Sequence, residues 1–155
     1  QQVSVAAAAA IWGRLQAVEA TAPEGVTAAS DEALRACGLS RQKIAYGRAI
    51  AASVIDFTAL RRMPDADVVA ELVRIKGIGV WTAEIYAMFS LGRADVFAPG
   101  DLALQEAARL LFALPERPKE PELRALSLAW SPWRAVAARL LWAYYRVANR
   151  REGVT

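Results

Sequence analysis

The chain has 155 residues, of which 55% are hydrophobic and 23% charged, a balance typical of a globular protein rather than a disordered one. It has no histidine and a single cysteine, Cys37, which excludes internal disulfides, the usual zinc sites, a four-cysteine iron–sulfur cluster and histidine-based catalysis. The net charge of +3 is compatible with nucleic-acid binding, and equally with an arginine-rich solvated surface.

The pattern along the chain predicts an all-α fold, because no stretch alternates polar and apolar residues long enough to form a sheet. The first helix begins near Val5 and presents Trp12 and Leu15 on its apolar face. Pro23 and Gly25 then predict a loop. No apolar run is long enough to cross a membrane without a charged or amide interruption, and the start lacks the basic segment of a signal peptide.

Serine residues predict the starts of the next two helices. Ser30 and Ser40 are expected to cap them, and Gly38 ends the first of the two. In the second helix, apolar residues at helical spacing predict an inward face that continues to Val54 and Ile55.

Two glycines separate the next pair of predicted helices, in the sequence Gly77-Ile78-Gly79. Helical spacing stops at Gly77 and resumes over Val80–Leu91. Glycines permit backbone angles closed to other residues and leave N–H groups free at the positive end of the second helix, so the turn suits a phosphate. Lys76 would place a cation beside it. The alternative is a tight helix–helix turn with a glycine cap and no ligand.

A second feature is a loop that begins at Asp95 and ends at Asp101. Asp101 lies 22 residues after Gly79. Pro99 and Gly100 turn the chain there, so the simplest prediction for Asp101 is an N-cap of the next helix. A Pro-rich linker over 115–121 leads to another short helix.

The last helix is predicted to start at Ser131-Pro132, as a cap followed by proline in the first turn. One apolar stripe is expected to face the core, while Trp142 lies off it and is free to face a cleft. The stripe consists of Trp133, Val136, Ala137, Leu140, Leu141, Tyr144, Val147 and Ala148.

The hairpin and Asp101, taken together, resemble the helix-hairpin-helix (HhH-GPD) DNA glycosylases. In that family one helix separates the hairpin from a loop that ends in a catalytic aspartate. The resemblance implies a multi-helix bundle with a cleft between two helical lobes, and one domain over 1–155 with the hairpin at 66–91 and the catalytic loop at 92–101. It assigns to Asp101 the stabilisation of positive charge on the sugar and the activation of water.

Trp81 indicates the subtype. Family members that also cut the strand carry a Schiff-base lysine two residues after the second hairpin glycine, and this chain has Trp81 there. The resemblance is therefore to monofunctional alkylbase (3-methyladenine) DNA glycosylases of type II. It implies hydrolysis of 3-methyladenine- and 7-methylguanine-type lesions by base flipping, which leaves an abasic site.

The resemblance also implies a pocket for a cationic alkylated base, held by aromatic faces. Trp81, Trp142 and Tyr86 are candidates, with Gln1 beside them; the alternative is that the aromatic residues belong to the core. Ile85 stands where related enzymes carry a pocket tyrosine.

DNA contacts are implied along the hairpin and at the start of the chain. The N–H groups of Gly77, Gly79 and Trp81 would hold a phosphate, and Gln2 would fill the gap left by the flipped base. The full set of implied DNA-binding residues is Lys76, Gly77, Ile78, Gly79, Val80, Trp81 and Gln2.

By resemblance, a sodium or potassium ion could bridge the carbonyls of Ile75 and Ile78 to the phosphate, and no other cofactor is expected. The expected partner is duplex DNA containing damaged bases, bound by a monomer. The implied location is the bacterial cytoplasm, at the nucleoid, or a eukaryotic nucleus. The first helix begins without an upstream cap, so a preceding N-terminal segment is also expected.

Two alternatives remain open at this stage. One is a helix-hairpin-helix module or glycosylase remnant that binds DNA without catalysis. The other is a helical scaffold unrelated to DNA, which predicts no salt-dependent DNA affinity.

Overall fold

The computed structural model describes residues 3–152, and all regular structure in that range is helical, as predicted. Short 3₁₀ turns cover Ala59–Arg62 and Leu128–Trp130. The α-helices are α1 (Val5–Ala17), α2 (Pro23–Ala28), α3 (Asp31–Ala36), α4 (Arg41–Ala51), α5 (Asp65–Val73), α6 (Val80–Phe89), α7 (Leu102–Leu111), α8 (Glu120–Ser127) and α9 (Arg134–Glu152).

The chain divides into two compact units. The first unit contains the chain up to Asp56 together with Val73–Ile78, and the second contains Phe57–Leu72 together with the chain from Gly79 onward. The single domain over 1–155 and the cleft between lobes remain predictions. None of the helices within 3–152 has the length and apolar character needed to cross a membrane.

The first unit has a small core in which Leu15, Leu34, Cys37 and Ile44 are buried together. The predicted serine caps are present: the side chains of Ser30 and Ser40 accept hydrogen bonds from the third residues of α3 and α4. These motifs are local in sequence, which is why they could be predicted.

Four expectations for the first unit are wrong. Helix α1 does not lack a cap, because the side chain of Ser4 accepts a hydrogen bond from the N–H of Ala7 at 3.2 Å. Pro23 does not begin a loop; it occupies the first turn of α2, where its fixed φ suits a helix. Helix α4 ends at Ala51, so Val54 is fully exposed rather than inward. Trp12 is also exposed, because the partly buried Ile11 packs on the core in its place.

The core of the second unit forms where α7 packs against α9. Small side chains at this contact allow the two helices to approach closely. The buried apolar residues on them are Leu104, Ala107, Ala108, Ala135, Ala138 and Leu141.

Helix α9 differs from its prediction in start and in buried face. It begins at Arg134, after a cis peptide bond between Ser131 and Pro132. The predicted core stripe is mostly exposed, with Trp133 at 62% and Leu140 at 67%, and only Leu141 of that stripe is fully buried. The helix has apolar residues on two faces, and the alanine-rich face is the one that fits against α7.

Candidate functional site

Asp101 lies at the start of α7 and is half-buried. As the N-cap, it accepts hydrogen bonds on Oδ1 from the backbone N–H groups of Ala103 and Leu104, each at 3.0 Å. The predicted cap is therefore present, and it fixes the direction of the carboxylate.

Two tryptophans from other helices also donate to this carboxylate. Trp81 Nε1 on α6 lies 3.0 Å from Asp101 Oδ2, and Trp142 Nε1 on α9 lies 3.0 Å from Asp101 Oδ1. The structure thus brings together three of the residues that the sequence placed at the candidate site, namely Asp101, Trp81 and Trp142. It also adds a detail that the sequence did not predict, because the indoles hold the carboxylate through their N–H groups.

The loop before Asp101 is anchored by buried contacts. The residues 96–99 are buried, Gln105 Nε2 donates to the carbonyl of Pro99 at 2.8 Å, and the Asp101 N–H donates to the carbonyl of Ala98 at 3.0 Å. The carboxylate therefore stands at the end of a loop that has little freedom to move.

An ion pair joins the start of this loop to α9. Arg134 Nε lies 2.7 Å from Asp95 Oδ1, and Arg134 Nη2 lies 2.9 Å from Asp95 Oδ2. Ser131 Oγ donates to Asp95 Oδ2 at 2.8 Å. These hydrogen bonds, chiefly those from Arg134, lower the pKa of Asp95 to about 2. The sequence analysis did not predict this pair.

A second ion pair supports α6 behind Trp81. Glu84 is buried and accepts a hydrogen bond from Arg124 Nη2 of α8 at 3.0 Å. Burial raises the pKa of Glu84, and the Arg124 guanidinium opposes that rise. The pair fixes the helix that carries Trp81 to α8.

In the first unit, Gly77 needs to be glycine for two reasons. Its φ of +93° lies in the left-handed region, and a Cβ there would overlap the ring of Tyr46. Ile78 is half-buried, and its N–H donates to the carbonyl of Ile75 at 3.0 Å. Lys76 is exposed.

In the second unit, Gly79 is the N-cap of α6, with φ −89° and ψ 169°. These angles are open to any residue, so the conformational freedom that glycine permits is used at Gly77 but not at Gly79. Apart from its two chain neighbours, no residue in the range 3–152 has an atom within 4 Å of the position that its Cβ would take. Gly79 and Val80 are exposed. Over residues 3–152, no hydrogen-bond acceptor faces the backbone N–H groups of Gly77, Gly79 or Trp81.

Tyr86 is a further predicted site residue of the second unit. Tyr86 contacts Phe57 edge to face, with ring centroids 6.2 Å apart, and none of its described contacts reaches the carboxylate. Its place in a base pocket remains a prediction. Gln1 and Gln2 lie outside the described residues. Within the range 3–152, no cluster of three or more acidic or cysteine side chains could hold a metal ion.

Comparison with protein families gives one match that spans most of the chain. Residues 1–133 match the model of the HhH-GPD superfamily of base excision DNA repair proteins. The chain is 32% identical over 163 residues to DNA-3-methyladenine glycosylase 1 of Schizosaccharomyces pombe, which covers 99% of the chain and 72% of that protein.

It is also 33% identical over 124 residues to YfjP of Bacillus subtilis, which covers 77% of the chain. The match spans only 43% of the length of YfjP.

Solved structures show the same similarity. A DNA-3-methyladenine glycosidase from Bacillus halodurans superposes with a TM-score of 0.81 and 41% identity, covering 94% of this chain and 70% of that one. The 3-methyladenine DNA glycosylase Mag1 of Schizosaccharomyces pombe, solved in complex with abasic DNA, gives a TM-score of 0.80 and 33% identity over 92% of this chain and 73% of that one.

Proposed function

Because the chain belongs to the HhH-GPD superfamily of base excision DNA repair proteins, we propose that it removes alkylated purines from duplex DNA by hydrolysing their N-glycosidic bonds. The relatives named as 3-methyladenine glycosylases support this substrate class. The observation that carries the proposal is the Asp101 carboxylate, which N–H donors from three helices hold in one orientation.

The two carboxylate oxygens of Asp101 are not equivalent. Oδ1 accepts hydrogen bonds from Ala103, Leu104 and Trp142, whereas Oδ2 accepts one from Trp81. A carboxylate oxygen has about two lone-pair positions, so Oδ2 retains one for a reacting group. We assign to Oδ2 the position facing the sugar or the attacking water.

Breaking the bond to the base builds positive charge on the sugar. An anion fixed beside that charge stabilises the transition state more than the ground state. The same carboxylate can accept a proton from the water that attacks the sugar carbon. Cationic purines such as 3-methyladenine or 7-methylguanine leave readily, so the absence of histidine is no obstacle.

The tryptophans would act on both the carboxylate and the base. Their N–H groups hold Asp101, and an indole N–H lies in the plane of its ring, so a ring face remains free to stack. A cation against such a face gains about 1–2 kcal/mol when it is desolvated. Trp81 and Trp142 are therefore the proposed pocket residues. Tyr86 and Gln1 are further candidates for the same pocket.

No Schiff-base chemistry is proposed. Trp81 occupies the position where strand-cutting relatives carry lysine, and Lys76 precedes the turn. The expected product is an abasic site in an uncut strand.

The hairpin residues Lys76 to Trp81 are proposed to hold a DNA phosphate. Gly79 supports this role, because neither its backbone angles nor its neighbours in the protein require glycine. A missing side chain there admits an external group close to the backbone. The carbonyls of Ile75 and Ile78 would hold a monovalent cation, which would supply positive charge for the phosphate. The Ile75 carbonyl accepts one hydrogen bond from the chain and so retains a lone pair for this role.

The test is release of methylated base from alkylated duplex DNA by the Asp101→Asn variant. We expect release to be lost while DNA affinity remains within about threefold. Asp67→Asn is the matched control, since Asp67 is exposed on α5 and takes no part in the site. Binding by the wild-type chain without any base release would contradict the proposal and favour a non-catalytic DNA-binding module.

The product of the reaction tests the subtype. The treated strand should stay intact until alkali cleaves the abasic site, and borohydride should trap no protein–DNA adduct. A trapped adduct would contradict the purely hydrolytic mechanism.

A further inference from the structure

A cavity of about 420 Å³ lies in the second unit beside Trp142. It is lined by Phe89, Arg139, Trp142, Tyr145 and Arg146. Its volume falls within the range of roughly 300–1,000 Å³ that is usual for small-molecule sites. None of its lining residues except Trp142 belongs to the candidate site around Asp101.

One part of the cavity is aromatic. The rings of Phe89 and Trp142 have centroids 5.8 Å apart and planes inclined by 34°, and Tyr145 adds a third ring. Such flat, apolar faces stack with nucleobases of any sequence.

The other part is positively charged. Arg139 holds its guanidinium 4.9 Å from the centroid of the Phe89 ring, and Arg146 also lines the cavity. Within the described part of the chain, no carboxylate pairs with either arginine. In contrast, four other arginines of the second unit pair with acids, namely Arg93, Arg109, Arg124 and Arg134. The charge of the cavity is therefore not neutralised.

The positive charge of the cavity favours an anionic ligand over a cationic one. A cationic alkylated base would meet two like charges, which disfavours it. A phosphate would meet two guanidinium groups suited to its geometry. A nucleotide has a flat base and an anionic phosphate. The aromatic rings of the cavity suit the base, and its two guanidinium groups suit the phosphate.

We infer that this cavity binds a nucleotide of the DNA strand, with its base against the aromatic rings and its phosphate on Arg139 and Arg146. The inference rests on the proposed function and extends it, since this nucleotide is not the one that is cleaved. Trp142 links the two positions, because its ring lines the cavity while its N–H holds Asp101.

The test measures DNA affinity for Arg139→Gln and Arg146→Gln as a function of salt. Each variant should lower the affinity about 3- to 10-fold. Each should also reduce the slope of log K against log[salt] by about 0.9 on duplex DNA, or about 0.7 on a single strand, because one phosphate contact is lost. Arg117→Gln removes the same charge from an exposed arginine of the second unit outside the cavity and should leave the slope unchanged.

A second experiment distinguishes binding of a nucleotide within the DNA strand from binding of a free nucleotide. Thymidine 5′-monophosphate, thymidine and inorganic phosphate are titrated against the wild-type chain and the Phe89→Leu variant. Weak binding of the monophosphate that Phe89→Leu reduces, together with the altered salt slopes, supports the inference. Binding of the monophosphate with unaltered slopes would make the cavity a free-nucleotide site and overturn it.

The inference and the proposed function can fail separately. Unchanged affinity and slope in both arginine variants, with normal base release by the wild-type chain, would refute only the inference. Absent base release with the expected arginine effects would refute only the glycosylase proposal. Circular dichroism of each variant shows whether the helices remain folded.

Discussion

At the scale of single residues, the central feature is a carboxylate that accepts four N–H groups, two from the backbone of α7 and two from indoles. The sequence predicted that Asp101, Trp81 and Trp142 belong together, because the spacing of the hairpin and the loop matched a family. It did not predict the indole hydrogen bonds, since these depend on side-chain torsions and on where α9 packs.

The first prediction concerns Trp142→Phe, which keeps an aromatic ring but removes the N–H donor to Asp101 Oδ1. Hydrogen bonds to charged groups contribute about 1.5–3 kcal/mol, so a misaligned carboxylate should slow single-turnover base release roughly tenfold or more. Trp133→Phe is the control, because Trp133 is exposed at the start of α9. Equal rates for both variants would show that the hydrogen bond does not orient Asp101.

The second prediction separates the two hairpin glycines. Gly77→Ala should destabilise the fold by about 1–3 kcal/mol, because φ is +93° and the new methyl group would overlap Tyr46. Gly79→Ala should cost less, about 0.5–1 kcal/mol, because the backbone angles suit alanine but glycine is preferred over alanine at a helix N-cap. It should nevertheless weaken DNA binding, because its methyl group would stand where the phosphate approaches. Urea unfolding and DNA titration of both variants measure the contrast, and full DNA affinity in Gly79→Ala would argue against the hairpin as a phosphate site.

At the scale of elements, the loop that carries Asp101 is tied to α9 by Asp95 and Arg134, which lie 39 residues apart in sequence. Nothing local in the sequence marks such a pair, and the same holds for Glu84 and Arg124, which are 40 residues apart. Helix caps such as Ser30 could be predicted because donor and acceptor lie within one turn.

The third prediction concerns stability in acid. The pKa of Asp95 falls from an ordinary value of 3.8 to about 2 in the folded chain. The ion pair therefore contributes its full stability above about pH 4 and loses it as the pH falls towards 2. After allowance for solvent screening, this contribution is about 1–2 kcal/mol. Asp95→Asn should lose that part of the pH dependence in urea unfolding between pH 2 and 5, and an unchanged profile would contradict the role of the pair.

The fourth prediction tests which face of α9 is buried. Leu141→Ala should cost about 2–5 kcal/mol, since Leu141 is 4% exposed and its removal leaves a cavity. Leu140→Ala, on the neighbouring residue at 67% exposure, should cost less than about 1 kcal/mol. The sequence could not decide this face, because both faces carry apolar residues at helical spacing. Thermal unfolding of the two variants gives the comparison, and equal losses would contradict the packing of α9 on α7.

At the scale of the whole molecule, the chain has no histidine, so few side chains titrate near neutral pH. The all-helical fold followed from periodicity and from the resemblance around the hairpin. The division into two units did not, because the segment Val73–Ile78 joins the first unit although it follows residues of the second. Contacts between segments distant in sequence decide such a division, and periodicity does not report them.

The fifth prediction concerns the pH dependence of stability that comes from Glu84. No histidine titration overlaps with it, because the chain has no histidine. Burial raises the pKa of Glu84 above its ordinary value of 4.5, so the folded chain holds that proton more tightly than the unfolded chain does. The stability that protonated Glu84 contributes is fully present below its pKa in the unfolded chain. It is lost as the pH rises through the pKa of Glu84 in the folded chain. As the pH rises above about 4.5, the free energy of unfolding of the wild-type chain should decrease, and Glu84→Gln should remove that decrease. Glu116→Gln, at an exposed residue, should retain the decrease, and a decrease that persists in Glu84→Gln would assign it to another group.

The sharing of Trp142 between Asp101 and the arginine-lined cavity has a consequence for inhibition. An acidic aromatic compound seated on that indole would compete with the nucleic acid and, by rotating the ring, withdraw the N–H from the carboxylate. One small molecule would thereby block the proposed DNA contact and slow the proposed chemical step together.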